Sequence, residues 1–376
     1  MKLIHLLLLA ISCTLHLVDP ALGDDKLVVR REDAFAHDGL VHPQSFQLWP
    51  VNQVPGKLFE QNVVSRFPGN SMRLHLSVKF SSPAAPWTLK VTDGSGKEWS
   101  IKSDSASGDF WTGDLEGSSA KVQLFSDSAE NPVKLVIDKI AVSIPPIKPQ
   151  SIVGPDDRKP ILTQTSQIKG WGASVARIRF IGDDGIQYLC TGFLVAARLL
   201  ITNQHCLSSP AEVKSALVDF NYDSNTSKVT TVTCTELVTV DQMLDYSIVR
   251  LSANPGIRAL KLTDSEVSES QALLLIEHPG GESKQVSIID CKVDHSSVPG
   301  TTSSATDFGH DCDTLGGSSG SPVQDISSGN VVGLHHLGIP GGTNILMNRA
   351  VKMKLILQNL AAKSPATIAE IGTGGQ

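Results

Sequence analysis

Beyond its first two dozen residues, this 376-residue chain has no stretch long and apolar enough to cross a membrane. It has no long run of one charge sign, and its net charge of −6 shows no basic bias, which argues against an electrostatic nucleic-acid binder. It has no CxxC spacing and no Cys/His cluster, so the usual sequence signs of a metal site are missing. No metal or organic cofactor is expected. Patterns of helical period are few. What remains is an ordinary globular composition, 40% hydrophobic, with ample material for a core and a length that fits two domains.

The N-terminus reads as a targeting segment. Lys2 gives a short positive region, Leu3 to Val18 is largely apolar, and Ala21-Leu22-Gly23 forms a small-x-small cleavage site before Asp24. Cys13 lies inside the apolar run, which continues past it, so a lipoprotein signal is not expected. Residues 1–23 are therefore expected to be removed on export, leaving a secreted, monomeric protein with no membrane attachment. Five cysteines remain: Cys190, Cys206, Cys234, Cys291 and Cys312. An oxidising compartment favours pairing, and an odd number leaves one over. Asn225-Thr226-Ser227 is a glycosylation sequon if the source is eukaryotic.

From residue 70 to 144 the chain alternates short β-type runs with turns: Met72 to Phe80, Trp87 to Thr92, Ala120 to Phe125 and Val133 to Ile144, with Asp93-Gly94-Ser95-Gly96 as one turn. Such spacing predicts a small β-sandwich, while residues 24–69 are less regular. Trp49, Trp87, Trp99 and Trp111 read as core or edge aromatics rather than a sugar-stacking platform. Pro145-Pro146-Ile147-Lys148-Pro149 reads as a stiff, extended linker, dividing the chain into 24–147 and 148–376.

The second domain is also β-rich. Gly172 to Phe180, Tyr188 to Val195, Leu199 to Thr202, Val229 to Val240, Tyr246 to Leu251, Ala272 to Ile276, Val286 to Val293 and Val331 to His335 are strand candidates, implying a sandwich or barrel. Val351 to Ala362 has helical spacing and is expected to pack as a C-terminal helix, with a loose tail after Ser364.

Within this domain lies Asp313-Thr314-Leu315-Gly316-Gly317-Ser318-Ser319-Gly320-Ser321-Pro322. Glycines around a serine allow a sharp backbone and leave N–H groups open to a developing oxyanion. Upstream, His205 stands at the polar exit of the apolar run Leu199-Leu200-Ile201-Thr202, directly before Cys206. Two strands joined by Ala196-Ala197-Arg198 would bring Cys190 and Cys206 together, and a disulfide there would clamp the His205 loop. Asp245 opens the apolar strand Tyr246-Ser247-Ile248-Val249-Arg250-Leu251. Each residue alone is ambiguous. Together, in the order His, Asp, Ser, they can form a charge-oriented nucleophile.

All these segments, T-G-F-L-V, L-L-I-T-N-Q-H-C, D-Y-S-I-V-R-L and G-G-S-S-G-S-P, resemble the trypsin-like serine peptidase family, over about residues 152–362. The resemblance implies two six-stranded antiparallel β-barrels. It also implies a triad of His205, Asp245 and Ser319, and an oxyanion hole from the N–H groups of Gly317 and Ser319. Gly316-x-Ser318-x-Gly320 formally fits the α/β-hydrolase elbow too, but that fold needs its acid and histidine downstream and helices between strands. Ser318 stands where pancreatic-type enzymes keep an aspartate for a freed N-terminus, so activation by that route is not expected.

The sequences G-S-S-G-S-P, Val332-Gly333-Leu334-His335 and Ile152-Val153-Gly154-Pro155-Asp156-Asp157-Arg158 resemble the bacterial glutamyl endopeptidase branch. That resemblance implies that Thr314 and His335 bind an acidic substrate side chain. It also implies processing near Ser151 to free an amine that contributes. Strand alternation sends His336 to the opposite face from His335, so the two do not chelate a metal. Asp313, six residues before Ser319 (319 − 313 = 6), falls instead where trypsin holds the aspartate for Lys or Arg. Ile276-Glu277-His278-Pro279-Gly280-Gly281 is similar to the H-P motif of lysyl endopeptidases. Acidic and basic specificity both stay open. Cys291 and Cys312 form the second expected pair, leaving Cys234 as a buried thiol. Residues 24–147 read as a prosegment, with an accessory binding domain as the alternative.

Overall fold

The computed structural model describes residues 36–48, 56–67, 69–80, 86–103, 108–126, 133–147, 150–300, 305–338 and 347–373. The expected signal segment, Trp49 and the Lys148-Pro149 part of the linker lie outside the described residues.

The N-terminal region is a β-sandwich. One sheet orders the strands Gly56–Val64, Ser119–Ser126, Trp87–Asp93 and Glu98–Lys102. The other orders His37–Leu48, Val133–Ile147, Ser71–Phe80 and Asp109–Trp111. Strict alternation of buried and half-buried residues along Trp87–Asp93 shows why two faces form: Trp87, Leu89 and Val91 point into a core with Leu74, Leu76, Val122, Leu124, Leu135 and Ile137.

The strands His37–Leu48 and Gly56–Val64 fall in the stretch whose sequence is irregular. His37–Leu48 also pairs, on its second edge, with Ile186–Ala196 of the next region, through Gly39↔Gln187 and Leu40↔Ile186. The sandwich and the following barrel therefore share one continuous ladder. Pro145 and Pro146 are not a free spacer. They lie within Val133–Ile147, at a register shift between Ser143↔Gly39 and Ile147↔His37, where a missing N–H is tolerated.

The next unit is a closed six-stranded antiparallel barrel. Its order is Val175–Ile181, Leu217–Phe220, Thr230–Asp241, Tyr246–Leu251, Leu199–Thr202 and Ile186–Ala196, closing through Val175↔Phe193 to Ile181↔Gln187. Gly172 ends a short helix, Ser166–Gly172, rather than starting the first strand. The last unit is an eight-stranded half-barrel, ordered Lys159–Pro160, Gln285–Ser287, Leu273–Glu277, Pro322–Asp325, Val331–Leu337, Asn348–Lys352, Asp307–His310 and Val293–Val298. An antiparallel bridge between Ala272 and Lys292 links the start of Leu273–Glu277 to the start of the last strand in this order, Val293–Val298. The all-β, two-barrel organisation thus holds, with the second barrel incompletely closed.

The expected C-terminal helix is Met353–Lys363, which buries Met353, Ile356 and Leu360. The tail after Ser364 is not loose: Pro365–Thr373 is a second helix. Ser364 breaks the first helix, its carbonyl accepts the N–H of Thr367, and Pro365 starts the new turn where its missing N–H costs nothing. Ile368 and Ile371 pack against the same core, and Glu370 pairs with Arg250 at 3.1 Å.

Candidate active site

The apolar strand Leu199–Thr202 is buried throughout and runs antiparallel to Tyr246–Leu251, with Thr202 opposite Ser247. That register places the residues leaving the first strand beside the residue entering the second. Asn203 Nδ2 donates to the Asp245 carbonyl at 2.9 Å, and Ser247 Oγ donates to the Asn203 carbonyl at 3.1 Å. Asp245 takes a left-handed turn, φ +42°, which aims its carboxylate back at the neighbouring loop. Its Oδ1 accepts the backbone N–H of His205 at 3.0 Å, and its Oδ2 lies 2.7 Å from His205 Nδ1. Burial opposes the ionised form of Asp245, but His205 and a second imidazole, His336, outweigh it and hold the carboxyl well below the usual range.

The disulfide Cys190–Cys206 forms as expected and anchors this loop. His205 comes close to both sulfurs, but they are bonded to each other and leave no ligand pair for a metal. Thr191, next to Cys190, ties the serine loop to the same point. Its N–H donates to the Ser319 carbonyl at 2.8 Å and its hydroxyl to the Gly317 carbonyl at 2.8 Å. Cys206 Sγ lies 4.0 Å from the Ser319 carbonyl oxygen, so the histidine and serine loops adjoin.

Two glycines in the serine loop are dictated by geometry. Gly317 has φ +97° and Gly320 φ +88°, and a Cβ on Gly320 would run into the Thr191 carbonyl and Thr202 Oγ1. The N–H of Ser318 is taken by the Leu315 carbonyl and that of Gly320 by the His335 carbonyl. Among the described residues, the N–H groups of Gly317 and Ser319 have no such acceptor. This alternation is what an oxyanion hole requires. Ser319 is largely buried, 8% exposed.

Of the predicted specificity residues, Thr314 and His335 adjoin this loop. Thr314 is buried and its hydroxyl donates to Asn348 Oδ1 at 3.2 Å. His335 Nδ1 lies 3.1 Å from His310 Nε2, and burial pushes both rings toward the neutral form, His310 to about 3. Asp313 turns elsewhere: Oδ1 accepts the N–H of Val153 at 2.8 Å and Oδ2 that of Asp157 at 3.1 Å. Ser151 pairs with Thr314, and its carbonyl accepts from Asn348 Nδ2 at 3.0 Å. Cys291–Cys312 is the second disulfide and Cys234 is a buried free thiol, raised to about 12 by desolvation. Glu277 is fully buried, and desolvation raises its carboxyl to about 8 against the nearby Arg158.

Sequence reasoning missed three site residues. Asn348 bridges Thr314 to Ser151. His336 leaves the His335 face as strand alternation requires, and on the other face it meets Asp245 at 3.0 Å and Asp307 at 2.7 Å. The adjacent histidines on one strand, and an aspartate opening Asp307-Phe308-Gly309-His310, were the available signals.

The family model for the trypsin-like peptidase domain matches residues 190–334. The chain is similar to the secreted RxLR effector protein 73 of Plasmopara viticola, 27% identical over 211 residues that make up 50% of this chain and 51% of that protein. It is also similar to the uncharacterized protein y4fB of Sinorhizobium fredii, 27% identical over 168 residues, 40% of this chain and 25% of that protein. The matches thus cover about half of one curated relative and a quarter of the other. Among solved structures, the active form of the Rv3671c protease from M. tuberculosis aligns with a TM-score of 0.44 at 17% identity, over 54% of this chain and 86% of that one. A Glu endopeptidase aligns with a TM-score of 0.44 at 21% identity, over 57% of this chain and 99% of that one.

Proposed function

We propose, from the match of residues 190–334 to the trypsin-like peptidase domain model, that the protein is an exported serine endopeptidase acting through Ser319, His205 and Asp245. His205 takes the proton of Ser319 Oγ as that oxygen attacks the substrate carbonyl carbon. The oxyanion accepts from the N–H groups of Gly317 and Ser319. His205 then protonates the leaving amine, and a water activated by the same imidazole releases the acyl group. The observation that carries this reading is the 2.7 Å pairing of His205 with the buried Asp245 beside the Ser319 loop.

For specificity the favoured reading is cleavage after an acidic residue, with Thr314 and His335 contacting the side chain. Its support is that the Asp313 carboxylate, which a basic side chain would need, is already satisfied by two backbone N–H groups. Processing near Ser151 would free an amine beside Thr314, since the two residues pair in the uncut chain. For residues 24–147 we favour an accessory domain that stays docked even after such processing, supported by the strand pairing that joins it to the barrel. Export is supported by the two disulfides and by the leader-like N-terminus.

A fluorophosphonate probe and a peptide library test the proposal together. The secreted protein should label, and Ser319→Ala should lose labelling and library cleavage by roughly 10⁴-fold or more. Equal labelling of the variant would refute the nucleophile. Cleavage only after Lys or Arg would refute the acidic pocket while sparing the triad.

A further inference from the structure

Asp245 Oδ2 faces two imidazoles: His205 Nδ1 at 2.7 Å and His336 Nδ1 at 3.0 Å. The far nitrogen of His336, Nε2, lies 2.7 Å from Asp307 Oδ2, and Asp307 Oδ1 accepts the Thr306 hydroxyl at 2.9 Å. His336 and Asp307 stand on strands that flank Asn348–Lys352 on opposite sides, so the sheet itself fixes their spacing. Asp245, His336 and Asp307 are all buried. The other titratable groups around His336 are His205, His335 and His310, and burial favours the neutral form of both His335 and His310.

A ring between two carboxylates satisfies both contacts as a donor only when both nitrogens carry hydrogen, which makes it an imidazolium. Burial works against that charge, but Asp307 and Asp245 outweigh it and lift the ring to about 9. Two consequences follow for Asp245. Its carboxylate is held at three points, by the His205 N–H, the His205 ring and the His336 ring, so it cannot pivot away from the base. It also shares its charge with the His336 ring when that ring is protonated, which weakens its pull on a second proton at His205.

We propose that His336, held by Asp307, is a positioning residue of the catalytic pair: it locks the Asp245 carboxylate against His205 and offsets part of that carboxylate's charge. The inference rests on the reading of His205, Asp245 and Ser319 as a triad. With the cation gone, Asp245 would attract a proton onto His205 more strongly, and the enzyme would lose its base at a higher pH.

The test is the rate of fluorophosphonate labelling of the full secreted chain between pH 4 and 9, for the unaltered protein, His336→Gln and Asp307→Asn. The acidic midpoint should move up by about one pH unit in His336→Gln and by about half a unit in Asp307→Asn. The plateau rate should fall roughly tenfold in the first. A lower plateau with an unmoved midpoint in both variants would mean a merely structural role and would overturn the proposal. If His336→Gln does not fold, Asp307→Asn decides alone, because it keeps the ring and changes only what charges it. Failure of the unaltered protein to label, or equal labelling of Ser319→Ala, would strike the triad reading instead.

Discussion

The molecule has two seams, and they are built from opposite materials. Between the closed barrel and the half-barrel the seam is apolar: Phe193, Ile201 and Ile248 from one side share a core with Leu274, Ile276, Leu334 and Val351 from the other, and the C-terminal helix adds Met353, Ile356 and Leu360. Between the sandwich and the closed barrel the seam is polar. Arg179 pairs with Asp114 of the sandwich and, at 2.8 Å, with Asp219 of the barrel, which also pairs with Arg177 at 2.8 Å. Arg73 reaches across to the Ser215 carbonyl at 2.7 Å, and Gln187 Nε2 to Asp38 at 2.8 Å. The difference teaches where precision is needed. The candidate triad draws His205 and Asp245 from one side of the apolar seam and Ser319 from the other. Close-packed side chains hold such a seam without room for a slip, because even a methylene is felt there. The polar seam fixes register through directional bonds, while the sandwich keeps its own separate core.

The sharpest way to break the comparison is to cut the apolar seam. Phe193→Ala would leave a cavity between the two halves and should cost about 3–5 kcal/mol of stability. Activity should fall with it, since the loops carrying His205 and Ser319 would lose their common support. Urea unfolding and fluorophosphonate labelling, measured together, check this; a large loss of stability with full labelling would show that the seam does not position the site. The next effect belongs to the polar seam. Asp219→Asn leaves the buried Arg179 and the half-buried Arg177 beside one another with only Asp114 and Asp38 as nearby carboxylates among the described residues, and should cost about 3 kcal/mol. Here labelling of Ser319 in the folded protein should be nearly unchanged, which is the point of contrast. The sign of the pH dependence is set by the same group. Burial opposes the Asp219 charge, but Arg179 and Arg177 hold the carboxyl below its unfolded value. Its contribution is therefore complete above about pH 5 and is lost only as the pH falls through the depressed value in strong acid.

The two seams also differ in how much of them could be read from sequence. Leu199–Thr202 and Tyr246–Leu251 match their predicted bounds because each is a short, continuous apolar run with a polar residue at its mouth. The triad candidates sit at those mouths, so the same pattern exposes them. Asp307–His310 and Asn348–Lys352 were invisible because polar residues share their buried positions with Phe308, Ala350 and Val351: Asp307, His310 and Asn348 are inside bonded to His336, His335 and Thr314. Hydrophobic period cannot register a core position that is polar. His37–Leu48 was hidden likewise, broken by Pro43 and Gln44, and is a strand because it completes a ladder on both edges. The polar seam as a whole depends on partners far apart in the chain, such as Arg73 and Ser215, and pairings of that range leave no local signature.

The smallest predicted effect is the most telling about the polar seam. Arg73 is buried, its Nε donates to the Thr112 carbonyl at 3.0 Å and its Nη2 to the Ser215 carbonyl, and no carboxylate among the described residues pairs with it. Burial lowers its guanidinium to about 10, with Arg179 adding to the effect and Asp114 opposing it. A charge kept dry at such a cost contributes little net stability. Arg73→Met keeps most of the volume and removes the desolvation penalty, at the expense of two carbonyls that lose a donor. The two terms nearly cancel, so the urea midpoint should shift by less than the equivalent of about 1 kcal/mol. What should change is register. Limited proteolysis between the sandwich and the barrel should become faster in Arg73→Met, because directional bonds rather than buried area hold that seam in place. A loss of several kcal/mol with unaltered proteolysis would reverse the argument and make Arg73 a stability element like Phe193.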